Sequence, residues 1–105
     1  MTQQVPPAVI YSQALALLRT PQVEQGYAML KEIADAEFEP AQMRLGEMFA
    51  RGQFVPRRPD LAKQYLKPLA NKQVEDAIKL LAWIAFEENQ LGVAMQLLND
   101  VRHTA

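Results

Sequence analysis

Hydrophobic residues recur along this chain at the three- and four-residue spacing of amphipathic helices, and proline or glycine separates one such segment from the next. After Pro6 and Pro7, the apolar positions predict a first helix that ends near Arg19. Thr20 and Pro21 are typical of an N-cap followed by a first-turn proline, and they predict the start of a second helix. No segment alternates with a period of two, so we expect an all-α protein without a sheet.

The positions of proline and glycine predict four further helices in the same way. Pro40 opens the third, Pro59 and Asp60 open the fourth after a loop over residues 52–59, and the last two run from about Val74 to Glu88 and from about Leu91 to Arg102. Pro68 conflicts with the fourth helix, because a proline inside a helix lacks a donor and clashes with the preceding turn. We therefore predict a kink or an early end of that helix near Lys67.

The apolar pattern repeats with a period of 36 residues. Ala41 and Leu45, for example, return as Ala77 and Leu81. Because an α-helix has ~3.6 residues per turn, this shift is about ten turns, and equivalent side chains face equivalent directions. Self-similarity at such a period predicts stacked helix pairs, none of which buries its apolar face alone.

The clearest unit lies between Ala41 and Ala77. Its pattern is carried by Ala41, Leu45, Gly46, Phe49, Gly52, Val55, Ala62, Tyr65, Leu66, Ala70 and Ala77. These positions resemble the Sel-1-like repeat, a relative of the tetratricopeptide repeat. Phe54, Arg58 and Gln73 depart from it, because the family has a loop glycine, an aspartate and a helix-ending glycine there.

The resemblance implies an α-solenoid of three antiparallel helix pairs wound as a right-handed superhelix. We expect one domain over residues 1–105, with a degenerate repeat at about 5–39, the best-matched repeat at 40–75 and a shortened repeat at 76–105. Small residues such as Gly46 would let neighbouring helices approach within about 8–10 Å. Replacing Gly46 with leucine should then destabilise the fold by roughly 1–3 kcal/mol through overpacking.

The resemblance also implies a concave face, lined by the first helix of each pair, that binds a partner. On a helical wheel, the residues that lie roughly opposite Leu45 and Leu81 are Met43, Glu47, Arg51, Lys79, Trp83, Phe86 and Glu87. We predict Trp83, Phe86 and Met43 as apolar anchors of this face, since tryptophan is enriched at binding hot spots and methionine adapts to irregular partners. The alternative places Trp83 and Phe86 in packing against the loop at Phe54 or against the last helix.

The composition of the chain argues against catalysis, metal binding and membrane insertion. The chain has no cysteine, which excludes disulfides and thiolate metal sites. Its single histidine, His103, and its single serine, Ser12, lie at opposite ends, so we expect no catalytic set, metal or cofactor. The first residues lack a signal-peptide pattern and no apolar run approaches the ~20 residues of a membrane span, so we expect a soluble, cytoplasmic protein.

Charge is unevenly distributed although the net charge is only −1. Residues 51–72 hold six basic side chains and one acidic side chain, Asp60. Clustered cations would suit nucleic acid. However, Lys63 and Lys67 lie one turn apart without interleaved aromatic residues, so we interpret them as a solvated outer face and expect no nucleic acid.

Together these patterns favour a non-catalytic protein–protein interaction module that binds a partner segment in its groove. The resemblance to Sel-1-like repeat proteins implies that this chain is a bacterial adaptor, a secretion-associated chaperone or a toxin-immunity protein. The alternative is a self-associating structural repeat protein, a homo-oligomer. In that case the last helix would expose apolar residues, namely Leu91, Val93, Leu97, Leu98 and Val101.

Overall fold

The structure, a computed structural model, describes the backbone of residues 5–104 and the side chains of residues 5–99. Over this range the chain forms six helices and no strand, which confirms the all-α prediction. The helices are α1 (Pro7–Leu18), α2 (Val23–Asp35), α3 (Glu39–Arg51), α4 (Pro59–Asn71), α5 (Glu75–Glu87) and α6 (Leu91–Thr104). Their bounds lie within a few residues of the predicted ones, whereas the solenoid arrangement and its handedness stay predictions.

Thr20 is not the N-cap of α2, so that prediction is wrong. The helix begins at Val23, after Gln22, and no side chain caps it. Instead, the Thr20 hydroxyl donates to the Leu17 carbonyl at 2.7 Å and accepts from the Gln22 N–H at 3.0 Å. A hydroxyl that bonds nearby backbone groups in this way stabilises a turn, which explains why threonine and proline stand here without starting the helix.

Pro68 does not end α4, which continues to Asn71, so of the predicted kink or early end near Lys67 the early end is wrong and the kink stays a prediction. Pro68 itself is exposed, whereas Leu66 and Leu69 on either side of it are 0% and 1% exposed. Burying each leucine stabilises the folded chain by about 1.5–3 kcal/mol. The two together outweigh the cost of a proline in a helix, about 3 kcal/mol.

α2 and α4 end in the same backbone geometry, 36 residues apart. Glu37 and Gln73 follow these helices, and each has a φ of 66°. In both turns this residue's N–H donates to the carbonyl three residues earlier at 2.9 Å, and the next N–H donates to the carbonyl five residues before it at 3.0 Å. This pattern is a Schellman motif. Gln73 therefore adopts the left-handed conformation that usually favours glycine, and so does Phe54 with a φ of 65°.

The chain divides into two compact units, the first ending at Leu45 and the second beginning at Gly46, inside α3. In the first unit α1 packs on α2. A Cβ atom on Gly26 would lie 2.8 Å from the Ala14 carbonyl oxygen, so the absence of a side chain there permits close packing. The Tyr11 and Phe38 rings add an edge-to-face contact at 5.9 Å.

The second unit is built around α5, which packs on both α4 and α6. The buried side chains of α5 are Ala77, Ile78, Leu80, Leu81, Ala82, Ile84 and Ala85. Within α3, a Cβ on Gly46 would lie 2.5 Å from Leu66 Cδ2, which confirms the close contact predicted at this glycine. Phe49 and Tyr65 stack beside it, with ring centroids 6.2 Å apart.

Candidate functional site

α5 exposes two aromatic side chains on the face opposite its buried stripe. Trp83 is 40% exposed and Phe86 is 62% exposed, whereas Leu81 and Ile84 on the same helix are buried. Lys79 and Glu87, one turn before and one turn after Trp83, are exposed as well. Both rings therefore lie outside the buried core. We call Lys79, Trp83, Phe86 and Glu87 the α5 face.

Arg57, a residue of the loop between α3 and α4, holds the tryptophan of this face. Its guanidinium carbon lies 5.6 Å from the centroid of the Trp83 ring. Its Nε donates to the Ala50 carbonyl at 3.0 Å and its Nη2 donates to Glu87 Oε2 at 3.1 Å. The first bond satisfies a carbonyl in the last turn of α3, where helical partners run out. The cation–π contact is worth about 0.5–1 kcal/mol at an exposed site.

Sequence reasoning missed Arg57, which it treated only as part of the basic stretch 51–72. The residue is separated from Glu87 by 30 positions, and it reaches α5 because of the loop geometry. That loop contains two left-handed residues, Gly52 at φ 70° and Phe54 at φ 65°. In the sequence, only Gly52 indicates that this loop turns sharply, and it does not show that Arg57 reaches α5.

Apart from Glu87, which pairs with Arg57, the charged members of the predicted site form ion pairs within their own helices. Lys79 Nζ lies 3.0 Å from Glu75 Oε1, and Arg51 Nε lies 3.8 Å from Glu47 Oε2. The hydrogen bond that Lys79 donates to the Glu75 carboxylate, together with the negative charge of that carboxylate, raises the pKa of Lys79 above its ordinary value. Such exposed pairs contribute little stability. Charges at the edge of a site mainly select a partner and its orientation rather than add affinity.

The structure brings together only part of the predicted site. Glu47 and Arg51 lie on α3 in the second unit, as does the whole α5 face. Met43 belongs to the first unit, where its side chain is half-buried. Its place beside Trp83 stays a prediction.

α6 exposes a second apolar surface. Leu91, Val93 and Leu98 are 56%, 51% and 44% exposed, as predicted for an uncovered last helix, and Met95 is 68% exposed. Leu97 is half-buried and Ala94 is buried against the rest of the second unit. The predicted contribution of Val101 lies outside the described side chains.

Between residues 5 and 99, no three acidic or histidine side chains are grouped so that they could hold a metal ion. His103 lies outside the described side chains, and Ser12 is exposed on α1. Among the described helices, none is both long enough and apolar enough to cross a bilayer. No family model, curated protein or solved structure matches this chain.

Proposed function

We propose that this chain is a non-catalytic protein–protein interaction module of the Sel-1-like type, which binds a segment of a partner protein on the α5 face. The observation that carries the proposal is an exposed Trp83 ring held by Arg57 beside an exposed Phe86. Tryptophan and arginine are the residues most enriched among binding hot spots. Glu47 and Arg51 would lie at the edge of this face, and Met43 stays a predicted anchor.

The remaining exposure of the two rings sets the scale of the interaction. An aromatic side chain offers about 150–250 Å² of surface. At 40% and 62% exposure, Trp83 and Phe86 leave roughly 200 Å² to be covered by a partner. At about 25 cal/mol per Å² this is about 5 kcal/mol before the costs of association. Arg57 reduces one of those costs, because a ring already held in place loses less freedom on binding.

The biological role follows the resemblance. Sel-1-like repeat proteins assemble complexes, so we propose a bacterial adaptor, a secretion-associated chaperone or a toxin-immunity protein acting in the cytoplasm. Each of these roles needs a specific partner held by contact alone. None needs a catalytic residue, a metal or a cofactor.

Quantitative affinity capture from the source cells tests this function. We expect a partner that is retained by the wild type and lost when Trp83 and Phe86 are both replaced by alanine. Met95→Ala is the matched control, since Met95 is a large apolar residue at least as exposed as either ring but lies on α6. Trp83 is the only tryptophan, so binding of the purified partner should also shift its fluorescence to the blue. A partner captured equally by the double variant would contradict the proposal.

The second candidate is self-association through α6. The exposed Leu91, Met95 and Leu98 favour it, because their spacing places them on one face of α6 and monomers rarely expose large apolar patches. Light scattering over a range of protein concentrations tests it. We expect Leu98→Glu to shift a concentration-dependent dimer to a monomer. A wild type that stays monomeric throughout would contradict this candidate.

A further inference from the structure

A groove of about 340 Å³ runs along the second unit, on the side of α5 away from Trp83. Its residues are Lys63, Lys67, Ala70 and Asn71 on α4, Leu81 and Ala85 on α5, Gln90 before α6, and Val93 and Leu97 on α6. Leu81 and Ala85 are 8% and 4% exposed and form an apolar floor. This groove shares no residue with the α5 face.

The spacing of the wall residues suits a helix. Lys63, Lys67 and Asn71 follow one another at intervals of four along α4, as Val93 and Leu97 do along α6. From Lys63 to Asn71 the wall is about 12 Å long, or roughly two turns. An amphipathic helix that docks in a groove inserts apolar side chains spaced i, i+3, i+4 and i+7, which span a similar length.

The two walls differ in charge. Lys63 pairs with Glu88 at 2.6 Å, whereas Lys67 has no carboxylate partner in the part of the chain that the structure describes. The opposite wall is uncharged from Leu91 to Asn99. The sequence pattern suggested that Lys63 and Lys67 belong to a solvated face, but the structure places them along one edge of an apolar groove. Among the described residues, the groove therefore carries an uncompensated positive charge at Lys67 on one side and no charge between Leu91 and Asn99 on the other.

We propose that this groove is a second docking surface, and that its occupant is an amphipathic helix of another protein with acidic residues along one edge of its apolar stripe. The apolar stripe lies on Leu81 and Ala85, and the acidic edge lies against Lys67. Reversing the direction of such a helix would turn its acidic edge toward the uncharged α6 wall. The one-sided charge therefore selects both the partner and its direction.

Two synthetic helical peptides of about fifteen residues test this docking, both with the same leucine stripe. One carries glutamate along one edge of the stripe and the other carries lysine there. Fluorescence anisotropy should show tighter binding of the acidic peptide, with a preference that falls as salt is added. Lys67→Glu should weaken binding of the acidic peptide by roughly threefold to tenfold, because it replaces attraction with repulsion. The same substitution should strengthen binding of the basic peptide.

A matched pair of substitutions on α6 locates the peptide. Val93→Glu, in the groove wall, should weaken binding, whereas Met95→Glu, on the same helix but outside the groove, should not. Trp83→Ala should leave binding unchanged, which separates this proposal from the α5 face. Circular dichroism of each variant verifies that it is folded.

Three outcomes would overturn the inference. The first is equal affinity of the wild type for the two peptides, and the second is an unchanged preference in Lys67→Glu. The third is equal loss in the Val93 and Met95 variants, which would indicate contact on the outside of α6 and not in the groove. None of these would affect the capture experiment at Trp83 and Phe86.

Discussion

Replacing Gly46 with alanine should destabilise the protein, although alanine is the better helix former. In a helix interior, alanine is favoured over glycine by about 0.8–1 kcal/mol. At Gly46, however, the new Cβ would lie 2.5 Å from Cδ2 and 2.7 Å from Cγ of Leu66. Leu66 is 0% exposed and cannot move aside into solvent. Overpacking costs about 1–3 kcal/mol, so we expect a net loss of about 1 kcal/mol in the free energy of unfolding.

Urea denaturation followed by far-UV circular dichroism measures this change as a lower midpoint at constant slope. Gly92→Ala is the control, because nothing lies within 4 Å of its new Cβ, and it should stabilise α6 by up to about 1 kcal/mol. Leu66→Ala removes the obstructing atoms at a cost of about 2–5 kcal/mol. In that background Gly46→Ala should become neutral or stabilising. An equal loss of unfolding free energy in both backgrounds would refute the steric argument. Gly46→Leu, which adds a larger side chain, should destabilise the protein more than Gly46→Ala does.

Two further predictions concern backbone strain and an ion pair. Gln73→Gly should raise the free energy of unfolding by up to about 1 kcal/mol, because glycine adopts the left-handed φ of 66° without a Cβ penalty. A higher midpoint of urea denaturation would show this gain. Lys72→Gly is the control, because Lys72 has a φ of −89°, and it should lower the midpoint. The hydrogen bond that Arg58 donates to Asp60 holds the pKa of Asp60 below its ordinary value. The pair therefore contributes to stability at pH values above the ordinary pKa, and this contribution is lost as the pH falls through the lowered pKa. Arg58→Ala should raise the pKa of Asp60 in a carboxyl NMR titration, and an unchanged titration would contradict this cause.

Helix positions could be predicted from the sequence because their signals are local. Pro7 and Pro59 stand at the first residue of α1 and α4, where proline is favoured and its missing N–H costs nothing. Thr20 and Pro68 misled for a related reason: a local preference does not reveal whether a side chain finds a nearby carbonyl, or how deeply the neighbouring leucines are buried.

The candidate site was predictable where it depends on a single helix. The exposure of Trp83 and Phe86 follows from their angle to Leu81 on α5, which is fixed by helix geometry. The role of Arg57 and the groove beside Lys67 were not predictable in this way. Both depend on contacts between elements distant in sequence, and no local pattern encodes them.

The contacts of Arg57 make the Trp83 ring sensitive to what happens at the end of α3. A partner that covers the ring and brings its own carboxylate competes with Glu87 for the same guanidinium. If the arginine follows that competitor, the Ala50 carbonyl loses the donor that it now has. Occupancy of an aromatic surface on one helix would thus be transmitted to the terminus of another, and a change in amide exchange at residues 52–58 would report it.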